Sequence, residues 1–149
     1  MIGSHSVNWP VLFRQRAEKA TDERLKHFYQ QGVVGADTPL VDVPFVALDF
    51  ETTGLDAKKN EIISIGLVPF DLHRIRLRES RYWLLKPNEG LIETSVPFHG
   101  ITHSQLSAAP DLNLILEAVL DEIAGKIVVV HYRNIEREFL DSAIKKLRR

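Results

Sequence analysis

Three strand-like runs follow one another between residues 45 and 85, joined by links too short to hold a helix, and this spacing constrains the fold most. Phe45 to Phe50 is bounded by Pro44 and a Thr53-Gly54 turn. Glu61 to Phe70 follows, and Ile75 to Leu85 comes after a turn at Asp71 to Arg74. Parallel neighbours need a crossover of about a dozen or more residues, so these runs are expected to form an antiparallel meander. A helix then opens at Pro110-Asp111. Leu112, Ile115, Leu116, Val119, Leu120 and Ile123 recur at three and four along it, and Gly125 is its stop. From Lys126 the chain continues through Ile127-Val128-Val129-Val130, an apolar run expected of a strand buried on both faces. A last helix carries Ile135, Phe139, Ala143 and Leu147. The order β-β-β-α-β-α predicts an α/β domain, a mixed sheet with helices packed on it.

Ahead of the meander, residues 8–31 read as helical, with Asn8 as cap and Pro10 in the first turn. Thr21-Asp22 is a good capping pair, so a break into two helices is expected there, and Gly32 is a natural stop. Trp9, Leu12, Phe13, Ala17 and Ala20, then Leu25, Phe28 and Tyr29, form an apolar stripe that should pack on the domain. Residues 32–44 read as a connecting loop. The chain thus divides into an N-terminal helical extension and linker, 1–44, and a main domain, 45–149. Within the third run, Arg74, Arg76 and Arg78 alternate with Ile75 and Leu77, giving one basic and one apolar strand face. That basic face reads as an exposed, soluble one that discourages edge pairing, in preference to a phosphate-contacting stripe.

Composition narrows the chemistry. A chain of 149 residues with 44% hydrophobic content suits a single core. No run of about 18 apolar residues exists to span a membrane, and the N-terminus has no secretory pattern. The chain has no cysteine, so any metal must be held by carboxylates or imidazoles, and a reducing cytoplasm is the expected compartment. The net charge is −1, whereas proteins that grip long nucleic acid by its backbone are usually basic. Any nucleic-acid contact is therefore expected at a local site, such as a strand end.

Asp49-Phe50-Glu51-Thr52-Thr53-Gly54-Leu55 is the most informative stretch. Residues two apart on a strand share a face, so Asp49 and Glu51 project together from the end of an otherwise apolar strand. Like charges side by side repel, and a divalent cation between them makes the arrangement favourable. Oxygen-only donors suit Mg²⁺ or Mn²⁺. Gly54 lets the turn run tightly, so that backbone amides and Leu55 can approach a ligand.

This stretch resembles the first motif of the DEDD-type 3′–5′ exonuclease superfamily, as in the proofreading epsilon subunit of DNA polymerase III and in ribonuclease T. Pro97-Phe98-His99-Gly100-Ile101-Thr102, followed by Leu106 and Pro110, is similar to the family's H-G-I-T segment. His131-Tyr132-Arg133-Asn134-Ile135-Glu136, with Phe139-Leu140, is similar to its second motif. There the family's metal-site Asp falls on Glu136, and its Asn and Ala fall on Tyr132 and Arg133. The longer side chain moves the carboxylate by about 1.5 Å, one C–C bond step, unless the backbone compensates.

The resemblance covers Phe45 to Leu147, roughly two thirds of the chain, and implies a ribonuclease H-like fold. It implies hydrolysis at nucleic-acid 3′ ends with two ions of Mg²⁺ or Mn²⁺, held by Asp49, Glu51 and Glu136. Thr53, Leu55 and His99 would contact the terminal nucleotide, while DNA and RNA both stay open as substrates. The family's third motif brings a fourth carboxylate and, in its commonest branch, a base His five residues before it. Only 13 residues follow Glu136 (149 − 136), and 142–149 contain neither His nor Asp. The expectation is a C-terminally incomplete enzyme domain, completed by further chain or by a helix that a partner chain donates, with a polymerase-type partner or a homodimer as the expected partners. The alternative is an inactive nucleic-acid-binding or protein-interaction module on the same fold.

Overall fold

A computed structural model describes residues 7–88 and 100–147. The N-terminal helical reading resolves into two helices because each start has its own cap. Asn8 Oδ1 accepts from the Val11 amide at 3.1 Å and opens α1, Trp9–Lys19. Asp22 Oδ1 accepts from the Arg24 amide at 2.9 Å and opens α2, Glu23–Gln30, and Gly32 at φ 72° turns the chain out of it. Phe13, Phe28 and Tyr29 pack edge-on and tilted between the two helices, with ring centroids 5.2 to 5.8 Å apart.

The strands are β1, Phe45–Thr52, β2, Ile62–Phe70, and β3, Arg81–Leu84. They form the expected antiparallel meander. A short helix α3, His103–Ser107, precedes the amphipathic α4, Leu112–Ile123, which ends before Gly125 at φ 69°. The chain then enters β4, Ile127–Val129, and finishes in α5, Arg133–Leu147. With α4 as the crossover, β4 lies parallel to β1, and among the described residues the sheet order is β3-β2-β1-β4. The mixed sheet is the one that the element order predicts.

Val46, Leu48 and Phe50 put one face of β1 into the main core, against Leu116, Val119, Leu120 and Ile123 of α4 and Phe139 of α5. Leu25 and Phe28 of α2 pack on the same core, and Arg24 Nη1 donates to Asn113 Oδ1 at 2.7 Å. The helical extension therefore docks on the domain through Leu25 and Phe28 of α2, while Phe13 of α1 packs on Phe28 and Tyr29 and Trp9 is exposed. Among the described residues no helix is long and apolar enough to cross a membrane.

Two expectations fail. The third run is strand only over Arg81–Leu84, while Ile75 makes an isolated bridge to Phe70 and Leu77–Glu79 is a 3₁₀ turn. Asp71 is the cause: its Oδ1 accepts from the His73 and Arg74 amides at 2.8 and 3.0 Å, and its Oδ2 from Arg76 Nη2 at 2.7 Å. These local bonds curl the backbone, so no alternating arginine face forms. The 127–130 run is not a doubly buried strand either. β4 pairs with β1 alone among the described residues, and Val128 and Val129 are 38% and 41% exposed.

Arg24 doubly engages the Asp22 carboxylate, and its side chain is the main cause that lowers the Asp22 pKa from 3.8 to about 2. A depressed carboxyl pKa stabilises the fold above the unfolded value and loses that contribution as pH falls through the folded one. Asp22→Asn keeps the cap but removes the charge. Thermal melts should therefore show wild type ahead of Asp22→Asn by a constant margin above about pH 4 that shrinks toward pH 2. A margin independent of pH across that window would contradict the pairing.

Candidate active site

The alternate face of β1 carries Phe45, Ala47, Asp49 and Glu51. Asp49 is exposed and Glu51 half-buried, while the intervening Leu48 and Phe50 are buried. The strand periodicity thus brings both carboxylates to one face. Their antiparallel partners on β2 are Gly66 and Ser64, and those pair in turn with Tyr82 and Leu84 of β3. Beside the carboxylates the sheet offers no side chain at Gly66 and one small, buried hydroxyl at Ser64.

At Glu51 to Thr52 the register shifts by a bulge. Ile62 then buries in the main core, while Ile63 buries in a second cluster with Ile101, Leu106 and, partly, Leu84. Leu84 lies in the row Leu84–Ser64–Glu51, so Ile101 and α3 sit beside the carboxylate face. This places the Gly100-Ile101-Thr102 part of the H-G-I-T-like segment. His99 itself lies outside the described residues.

The turn after β1 is held from within. Thr53 is 7% exposed, its amide donates to the Glu61 carbonyl at 2.9 Å, and its hydroxyl accepts from the Glu61 amide at 3.0 Å. The same hydroxyl donates to Asn60 Oδ1 at 3.3 Å, and Asn60 Nδ2 donates to the Asp56 carbonyl at 3.2 Å. Thr53 thus lies beneath the turn with its hydroxyl fully engaged, whereas Leu55 projects at 81% exposure. Gly54 does not adopt positive φ among the described glycines; its requirement is space. A Cβ there would lie 2.6 Å from Asn60 Oδ1 and 2.8 Å from Asn60 Cγ. Gly54→Ala must push Asn60 off Thr53 and Asp56, and should cost about 1–3 kcal/mol by denaturant titration. A variant within experimental error of wild type would show that Asn60 yields freely.

Glu136 lies in the first turn of α5, which leaves β4 and lies against β1. It is 7% exposed, and its Oε2 is buried with no hydrogen-bond partner among the described residues. A buried carboxylate oxygen without a donor is costly, and the orientation becomes favourable when a cation meets it. Oxygen donors on Asp49, Glu51 and Glu136 fit Mg²⁺ or Mn²⁺ by type. Among the described residues, however, no three His, Cys, Asp or Glu side chains converge as a metal-holding group. The structure pairs Asp49 with Glu51 and aims Glu136 inward, and it does not close the set. Sequence reasoning singled out Asp49, Glu51 and Glu136 as candidates and passed over Asn60, whose turn-locking contacts have no signal in local pattern.

A mixed sheet in this order, with paired carboxylates ending its first strand, defines a ribonuclease H-like domain of the DEDD-type 3′–5′ exonuclease superfamily. The family model for RNase T exonucleases matches residues 46–149, and the chain belongs to that exonuclease family. A PolC-type DNA polymerase III from Thermotoga maritima is 35% identical over 111 residues, covering 74% of this chain and 8% of the polymerase. The PolC-type enzyme of Halalkalibacterium halodurans is 32% identical over 112 residues, covering 75% and 8%. The chain thus spans less than a tenth of the length of these curated relatives.

Among solved structures, the nuclease domain of 3′hExo, a DEDDh family member bound to rAMP, gives a TM-score of 0.63 at 20% identity. It covers 76% of this chain and 62% of that one. The metal-free E. coli ExoI–ssDNA complex gives 0.61 at 15% identity, covering 70% and 24%. These two likenesses are of fold.

Proposed function

We propose that this chain is the exonuclease domain of an enzyme that hydrolyses phosphodiester bonds at nucleic-acid 3′ ends with Mg²⁺ or Mn²⁺. One observation carries the metal dependence: the buried, unpartnered Oε2 of Glu136 on a helix against the strand that bears Asp49 and Glu51. In this reading Asp49, Glu51 and Glu136 hold the ions. When bound, divalent ions supply charge neutralisation for the phosphoryl transition state. Leu55 packs on the terminal base, His99 contacts the terminal nucleotide, and Thr53 keeps the turn that presents Leu55 to the 3′ end. The relatives with PolC-type names support a polymerase context, in which the domain removes nucleotides near a growing strand.

The fourth carboxylate and its base have no counterpart after Glu136 within the 149 residues. Turnover is tested on the full-length product of the gene. With a 3′-labelled oligonucleotide, mononucleotides should appear with Mg²⁺ or Mn²⁺ and not with EDTA. Their absence under both metals favours a second reading, a nucleic-acid-binding module without turnover.

Glu136→Gln separates the metal role from a structural one. It keeps the size of the side chain and a buried polar terminus while removing the carboxylate, so the metal-free variant should fold with a stability within about 1 kcal/mol of wild type. It should also lose most of the rise in melting temperature that Mn²⁺ confers on wild type, because ligand stabilisation follows affinity. An undiminished Mn²⁺ response removes Glu136 from the ion site.

A further inference from the structure

Lys58, Lys59 and Lys146 meet around an open groove of about 580 Å³ whose remaining lining is Glu61 and Asn88. The lysines come from two elements, the loop that leaves β1 and the last turns of α5. Ser142 Oγ joins the two by donating to the Ala57 carbonyl at 2.8 Å. Gathering three ammonium groups on one rim is unfavourable without anions to meet them. The lining supplies one carboxylate, Glu61, against the three lysines. Both Glu61 oxygens accept from Asn88, at 2.7 and 2.8 Å, and Asp56 Oδ1 accepts from the Lys58 amide at 2.9 Å. Asp56 Oδ2 lies 3.9 Å from Lys59 Nζ, a long contact between exposed groups. All three lysines are exposed.

The groove adjoins the turn that follows β1, since the Glu61 carbonyl accepts from the Thr53 amide at 2.9 Å and Thr53 is two residues beyond Glu51. A chain of net charge −1 can grip nucleic acid only through a local basic feature, and this groove is one.

We propose that the groove holds the sugar-phosphate backbone of the substrate strand just upstream of its 3′ terminus, a role that rests on the exonuclease reading. The contacts would be to phosphate, so they position the strand and carry no base preference.

The test is fluorescence anisotropy of a labelled single-stranded oligonucleotide with the 149-residue chain, in EDTA and across a salt series. Wild type is compared with K58Q/K59Q/K146Q and with Lys145→Gln. Lys145 is the control because it pairs with Asp141 at 2.6 Å and does not line the groove. Each lost phosphate contact lowers the salt slope by about 0.7 for a single strand, so the triple variant should lose about 2 in slope. It should also bind tens-fold more weakly at low salt, while Lys145→Gln behaves as wild type. Circular dichroism and melting should be unchanged, as expected for exposed substitutions.

Equal slopes in wild type and the triple variant overturn the proposal, as does a wild-type chain that does not bind at low salt. Full displacement of the oligonucleotide by millimolar inorganic phosphate, at constant ionic strength, assigns the groove to free phosphate and overturns it too. Failure of the exonuclease reading shows separately, as absent metal-dependent release by the full-length gene product while the lysine effect on binding persists.

Discussion

Asp49→Ala should lower the release of nucleotides from a labelled 3′ end by on the order of 10²–10³-fold, in the gene product that shows metal-dependent release. That scale is typical for removing one charge-stabilising group from a preorganised site. The fold gives little reason for a structural side effect. Asp49 is exposed, and among the described residues its side chain makes no hydrogen bond or ion pair. Its removal also relieves repulsion from Glu51 on the same face, so stability should stay within about 0.5 kcal/mol of wild type. Parallel denaturation and 3′-release assays check both halves. Retained release within a few fold of wild type would falsify the assignment of the β1 carboxylates. Unfolding of the variant would instead reveal a structural role that the present hydrogen bonds do not show.

Phe139→Ala should cost about 3–5 kcal/mol, the range for deleting a buried aromatic ring. Phe139 is 2% exposed in the main core, where it meets residues of β1 and α4. A loss of that size is a large share of the roughly 5–15 kcal/mol that keeps an ordinary domain folded. Phe139 also stands three residues after Glu136, on the same face of α5. A cavity there frees α5 to shift against β1, so the Mn²⁺ response should fall along with stability. Phe139→Leu, which keeps most of the volume, should cost about 1.5 kcal/mol or less and preserve that response. Urea titration reads the stability as a change in midpoint at constant slope. A loss below about 1 kcal/mol for Phe139→Ala would mean that α5 is not anchored by this ring.

The elements most legible in the sequence are those decided by neighbours in the chain. Asn8 and Asp22 cap helices through amides two or three residues away, and Gly32 and Gly125 end them by conformations that their own lack of a Cβ allows. Asp49 and Glu51 share a face because a strand alternates, whatever packs beside it. The same local logic misled at residues 74–78. There an alternating pattern stood for a strand, but Asp71 offered the backbone closer partners. The Ile127–Val129 run misled for the opposite reason, because burial depends on neighbours that β4 has on one side only among the described residues.

From the sequence alone came the element order, the helix caps, the carboxylate pair and the alignment of Glu136, because each depends on residues within a turn or two or on a repeating pattern. Tertiary structure alone decided that Glu136 is buried with an unmet oxygen, that Asn60 locks the turn under Gly54, and that Lys146 joins Lys58 and Lys59. Each of those facts depends on which distant segments touch. Packing selects such contacts only when the sheet and helices close on a common core.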